Sequence, residues 1–221
     1  MLGELGNLPT MTYCGGILVR EGLVMFADTR TNAGVDNIST FRKLHVFKDP
    51  KKRIMAIATA GNLSISQSVL SILTEGYDNP ETGEHETLMN SRTMFQAAQR
   101  LGHVVRMIHS TEGKALEAAD VNFDVSFLFG GQIMGERMRL FMVYSAGNFI
   151  ECTIDTPYLQ IGEHKYGKPV LDRASRVGGL ELDVEGHVRG CEPIDAHDRR
   201  ATDGLGDVVE DHGGRPSWFQ L

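Results

Sequence analysis

Apolar positions along the chain change period several times, and the changes mark out its elements. Met11-Thr12-Tyr13-Cys14-Gly15-Gly16 opens a strand-like run that reaches Ala27-Asp28-Thr29-Arg30. Within it, residues 17–20 and 23–29 flank Glu21-Gly22, a natural hairpin turn, so two antiparallel strands come first. Residues 40–47 and 53–60 flank Lys48-Asp49-Pro50-Lys51-Lys52 and predict a second hairpin. The period then becomes helical. Ile65, Val69, Ile72 and Leu73 share one face, as do Met94, Ala98, Leu101, Val105 and Ile108. Between these helices lies the polar stretch 77–90, with Pro80 and Gly83. Strands return at 123–129, 138–144 and 149–154, with Gly130-Gly131 and Ala146-Gly147-Asn148 as turns. A short helix is predicted to start near Tyr166-Gly167-Lys168-Pro169. Strands, two helices, strands and a helix, in that order, predict an α+β layered domain with antiparallel sheets.

The two ends of the chain lack this patterning. Residues 1–11 carry Gly3, Gly6 and Pro9 and read as a short leader or a misassigned start. From Ala174 to the end the chain is dense in Gly, Asp, Arg and His; lysine is absent after Lys168, and Trp218 and Phe219 are the only aromatics. His197-Asp198-Arg199-Arg200 and Asp211-His212-Gly213-Gly214-Arg215 show neither period. The segment 174–221 reads either as a solvated, disordered tail or as a shifted reading frame that has replaced the domain's own ending. Three parts follow: 1–11, a domain over 12–173, and 174–221.

Composition narrows the function. A chain of 221 residues, 41% hydrophobic and 23% charged, suits one soluble globular core. Its formal net charge of −7, with no Lys/Arg-rich run, argues against a nucleic-acid partner. Three scattered cysteines, without a C-x-x-C pair, fit neither a disulfide framework nor a zinc site and suit a reducing cytoplasm. The first ten residues lack the basic and apolar regions of a secretory signal, and no apolar run approaches bilayer length. The eight histidines show no H-E-x-x-H or similar spacing, so neither metal nor cofactor is expected.

Candidate chemistry falls along the first four predicted strands. Thr12 follows a methionine, and a chain-terminal threonine combines a hydroxyl nucleophile with an α-amine of pKa about 7.7–8.0 that can act as its base. Asp28 ends the apolar run Val24-Met25-Phe26-Ala27, as a solvated strand end or a partner for a buried cation. Alternation places Phe41, Lys43 and His45 on one face, where a half-buried lysine needs an anion. Taken singly, Asp28 and Lys43 are residues of a kind more often structural than catalytic; together, downstream of Thr12, they point to a site. Gly61 sits at a strand-to-helix turn and could offer its N–H to an oxyanion, or simply make the turn. Other patterns carry less. Gly162 to Pro169 fits G-x-x-x-x-G-K between a strand and a helix, but proline stands where a P-loop needs Ser or Thr. Thr40-Phe41-Arg42-Lys43 has the S-x-x-K spacing on a predicted strand, without companion motifs. Cys14 could be a nucleophile only after cleavage two residues further on; a buried strand cysteine is the simpler reading.

The segment MTYCGGILVREGLVMFADTRTNAGVDNISTFRKLHVF, at 11–47, resembles the start of the bacterial proteasome-related proteins called Anbu (ancestral β-subunit), themselves similar to HslV and to proteasome β-subunits. The resemblance continues through ATAGNLS at 58–64, VYSAGN at 143–148 and IGEHKYGKP at 161–169, and covers about 11–173. It implies an N-terminal-nucleophile (Ntn) hydrolase four-layer αββα sandwich, incomplete here at its C-terminal end, assembled into a ring or an open helical oligomer. By position it makes Thr12 the nucleophile, Asp28 the acid, Lys43 the lysine and Gly61 the oxyanion glycine, with Thr31 and Asn32 pairing with substrate backbone. Three features depart from the family pattern. Thr12 is preceded by eleven residues, Glu163 follows Gly162 where a supporting serine is expected, and nothing after Arg173 matches the final helix and strand.

The resulting expectation is a cytoplasmic threonine-type endopeptidase acting on peptides or unfolded proteins, without cofactor, nucleic-acid or membrane partners. The chain has no ATPase motif of its own, and an unfoldase partner stays open. The competing expectation is a catalytically silent structural subunit of a proteasome-like assembly.

Overall fold

A computed structural model describes residues 12–19, 22–28, 41–80, 82–153, 156–163, 165, 167–169 and 171, and the backbone of 181–182, 188–189 and 205–212. Along the chain run β1 (Tyr13–Val19), β2 (Gly22–Asp28), β3 (Leu44–Asp49), β4 (Arg53–Gly61), α1 (Leu63–Glu75), β5 (Tyr77–Asp78), β6 (His85–Glu86) and α2 (Met94–Ala118). They are followed by β7 (Val125–Ile133), β8 (Arg139–Val143), β9 (Phe149–Glu151), β10 (Tyr158–Gly162), β11 (Glu181–Leu182), β12 (Val188–Arg189) and β13 (Leu205–His212). Residues 165, 167–169 and 171 are helical, where the short helix is expected.

Two antiparallel sheets dominate: β10-β1-β2-β13, and β3-β4-β7-β8-β9. The alternation along β4 shows how they stack. Met55 and Ile57 point into a core shared with Val69 and Leu73 of α1, Leu101 and Val105 of α2, and Phe127, Phe129 and Phe141. Ala56, Ala58 and Ala60, on the opposite face, meet Cys14, Met25, Ala27, Leu159 and Ile161 of the first sheet. A strand covered on both faces reads as a near-continuous apolar run, as 54–60 does, with Thr59 its one polar residue. The helix pair, the second sheet and the first sheet are therefore three successive layers of a mixed α/β fold with antiparallel sheets.

Local chemistry sets the boundaries. Asn62 caps α1 by accepting from the N–H groups of Ser64 (3.0 Å) and Ile65 (3.4 Å), and Thr93 caps α2 through Gln96 N–H at 3.0 Å. In the second hairpin, Pro50 and Lys51 are the central residues of a turn closed by Lys52 N–H to Asp49 O at 3.0 Å, with Lys51 at φ 70°. The polar connector 77–90 carries the small β5–β6 hairpin. Its Glu86 is buried against α2, where Tyr77 Oη (2.7 Å), Asn79 Nδ2 (3.1 Å) and Arg100 Nε (3.3 Å) meet its carboxylate.

Several expectations need correction. Gly22 pairs with Val19 inside the ladder, so it belongs to β2 and not to the turn. Lys43 precedes β3 instead of lying within it. Gly130 and Gly131 do not form a turn; they lie inside β7, paired with Ala56 and Met55. They are glycines because space is short. A Cβ on Gly130 would sit 2.6 Å from Leu23 Cδ2 and 3.0 Å from Met25 Sδ, and one on Gly131 would run into the carbonyl of Ile54. The actual turn follows at 134–136. Residues 205–212, within the segment that shows no strand period, run antiparallel to β2 with Val209 opposite Met25 and His212 opposite Gly22.

Candidate active site

Thr12 leads into β1, Asp28 closes β2, and the register Cys14↔Ala27 brings those two ends side by side. Lys43 arrives from the other sheet, immediately before β3, its backbone fixed by Thr59 N–H donating to Lys43 O at 3.0 Å. The hairpin of one sheet and the first strand of the other thus deliver three polar side chains to one end of the sandwich. Lys43 Nζ donates to Asp28 Oδ1 at 2.6 Å and to Thr12 Oγ1 at 3.0 Å.

The Lys43 side chain is 5% exposed and that of Asp28 22%. An ammonium so far from water is stable only with a carboxylate and further hydrogen-bond acceptors around it. Asp28 supplies the first, and the Thr12 hydroxyl is one of the second. Positive charge beside Thr12 Oγ1 favours the alkoxide over the alcohol, which is the direction a nucleophile requires. The arrangement can therefore activate a hydroxyl.

Cys14, two residues along β1, is fully buried, and its Sγ donates to Thr59 O at 3.6 Å. Burial pushes the thiol up to about 12; the Asp28 charge adds to the shift and the Lys43 charge opposes it. It stays a neutral thiol at physiological pH, so it is a packing residue beside the site, as its strand position suggests.

Gly61 ends β4 at φ 99°, and a side chain there would strike the carbonyl of Asp124. Alternate N–H groups of a strand point to the same edge. Thr59 N–H faces Lys43, and Asn62 N–H faces the opposite neighbour, Asp124 O, at 2.7 Å. Gly61 N–H accordingly points to the Lys43 edge, past the start of β3. Thr31, Asn32 and Thr40 lie outside the described residues.

Glu163 has a different task from the serine expected there. Its N–H donates to Thr12 O at 2.6 Å, and its Oε1 accepts from Lys165 N–H at 2.9 Å, capping the short helix. Thr59 has no counterpart among the residues the sequence singles out. It is a buried residue in an apolar strand, and its main chain links Lys43 and Cys14. Only the alternation of β4 hints at it.

No protein-family model and no curated protein matches the chain. Solved structures do. Anbu (ancestral beta-subunit) from Yersinia bercovieri is 48% identical with a TM-score of 0.63, the match covering 73% of this chain and 64% of that one. Anbu from Pseudomonas aeruginosa, solved as the helical assembly of the Anbu complex, is 41% identical with a TM-score of 0.65, over 73% and 65%. An Anbu structure from Hyphomicrobium sp. strain MC1 is 40% identical with a TM-score of 0.55, over 73% and 67%. The match thus spans about two thirds of the length of these proteins. Sequence identity at this level, on a shared antiparallel α/β fold, shows that the chain belongs to the Anbu family.

Proposed function

We propose that the chain is a proteasome-type threonine peptidase built on an Ntn αββα sandwich, with Thr12 as its nucleophile. One observation carries this: a buried lysine bridges a carboxylate and the hydroxyl of the residue that leads into β1. Thr12 Oγ forms a bond to the carbonyl carbon of a peptide while its proton passes, through water, to the free α-amine of Thr12. Lys43 favours loss of that proton by its positive charge, and Asp28 holds Lys43 aimed. The carbonyl oxygen, now an oxyanion, accepts from Gly61 N–H. The C–N bond then breaks, the departing amine takes the proton from the α-amine, and water hydrolyses the resulting ester. Thr31 and Asn32 pair with the substrate backbone. The enzyme works in the cytoplasm and associates with copies of itself, a reading supported by the helical assembly of the Pseudomonas aeruginosa relative. Thr12 can be its own base only with a free amine, so the active form begins at Thr12.

Hydrolysis of a fluorogenic peptide, with intact-mass analysis of the same preparation, tests this. Thr12→Ala, Lys43→Ala and Asp28→Asn should each lower kcat by about 100-fold or more, and the losses of the last two should not add. Near-wild-type rates in Lys43→Ala, or an active species that retains residues before Thr12, would refute the mechanism. A processed, folded wild type that cleaves no peptide would favour the silent-subunit reading.

A further inference from the structure

The G-x-x-x-x-G-K segment from Gly162 to Lys168 lacks the Ser or Thr of a P-loop, yet both of its glycines press on the start of β1. Gly162 is at φ 89°, and a Cβ there would run into the carbonyl of Thr12. The next N–H, of Glu163, donates to that carbonyl at 2.6 Å. Gly167 lies in the short helix, and a Cβ there would run into the Tyr13 ring at Cζ. Tyr13 Oη donates to Oε1 of buried Gln160 on β10 at 2.8 Å, and Gly162 of the same strand pairs with Tyr13. The ring's other neighbour is Phe26, with centroids 5.9 Å apart.

A nucleophile at the first residue of a chain sits where strands fray most. Its amine and hydroxyl must stay available for chemistry, so any restraint has to act through its carbonyl and through the following residue. Those are the two handles held here. We propose that Gly162, Glu163 N–H and Gly167, together with Tyr13 and Gln160, form a clasp that positions Thr12 Oγ against Lys43. Tyr13 and Gly167 are its positioning residues; neither touches the reacting atoms. This rests on Thr12 being the nucleophile. A side chain on Gly167 must move the Tyr13 ring, and with it Thr12. A displacement of about 1 Å is enough to cost roughly 100-fold in rate.

The test uses the protein whose intact mass begins at Thr12. Gly167→Ala should lower kcat roughly 10- to 100-fold with KM within about twofold of wild type. It should also speed hydrogen exchange of the Glu163 amide about tenfold or more, while the Val104 and Val105 amides of α2 stay as protected as before. Unchanged kcat, a loss confined to KM, or wild-type exchange at Glu163 in Gly167→Ala overturns the clasp. If Gly167→Ala does not fold, Tyr13→Phe decides: it removes only the hydrogen bond to Gln160, and an unchanged kcat overturns the proposal. A wild type without peptidase activity refutes the Thr12 reading, while the exchange arm still decides whether Thr12 is clasped.

Discussion

Lys43 is where the cost of burial and the needs of chemistry meet. Asp28, 2.6 Å away, and the oxygen of Thr12 are among the partners that hold an ammonium this far from water. Thr12 behind its methionine and Asp28 at the end of an apolar run stood out, and Lys43 was singled out by alternation within a strand it in fact precedes, so all three were legible as candidates. Thr59 was not, because its contribution is main-chain and its side chain belongs to the buried run of β4. The same dry environment governs Cys14 and Cys152. Burial pushes each thiol up to about 12, with the charges of Asp28 and Glu151 respectively adding to the shift. A cysteine in the unfolded chain titrates near 8.5. The folded form therefore retains protons that the unfolded form releases between these values, and the sign follows. The contribution of both thiols is fully present below about pH 8.5 and is lost as pH rises from there towards about 12. Urea midpoints measured from pH 7 to 11 should fall across that window, and Cys14→Ala should flatten the fall. An identical slope in wild type and Cys14→Ala would show that Cys14 is ionised in the folded protein.

At the scale of elements, the informative signals were periods and turns. The β3–β4 turn, α1 and α2 follow from the 48–52 stretch around Pro50 and from apolar rows on single helical faces, though α2 runs on to Ala118, past the last periodic residue, Ile108. Glycine misled, because one residue type serves opposite ends. In Gly130-Gly131 it permits two neighbouring strands and an opposing sheet to approach, not the chain to turn, and only the tertiary neighbours Leu23, Met25 and Ile54 reveal that. The position of Gly61 depends on the element that follows it. Asn62 stops β4 and starts α1, satisfying two N–H groups of the first turn. Asn62→Ala should therefore cost about 1 kcal/mol of stability. Denaturant unfolding measures that loss. If it is accompanied by a fall in kcat larger than the unfolded fraction explains, the cap also holds the Gly61 N–H in aim; a stability loss alone would leave the cap a helix device.

For the whole molecule, the decisive relation is the stacking of one sheet on another, because it brings the end of β2 and the start of β3 together at Thr12. That stacking leaves β2 with two neighbours, β1 on one side and β13 on the other. The β13 partner was illegible: Leu205-Gly206-Asp207-Val208-Val209-Glu210-Asp211-His212 has two adjacent valines and no alternation, so pairing with β2 is a matter of backbone, not pattern. Its position makes a definite prediction. Without β13, β2 becomes an edge whose Leu23, Met25 and Ala27 are core residues, and such an edge invites pairing between chains. Removing residues 205–221 should raise light scattering at micromolar protein. It should also speed exchange of the alternate β2 amides that face β13 by about tenfold or more, while those facing β1 keep their protection. Equal exchange on both sides of β2, and an unchanged monodisperse species on size-exclusion chromatography, would mean that β13 contributes nothing to the sheet. A relative's ending grafted after Arg173 would then be the better candidate to cover that edge, by the measure of which of the two chains keeps β2 protected.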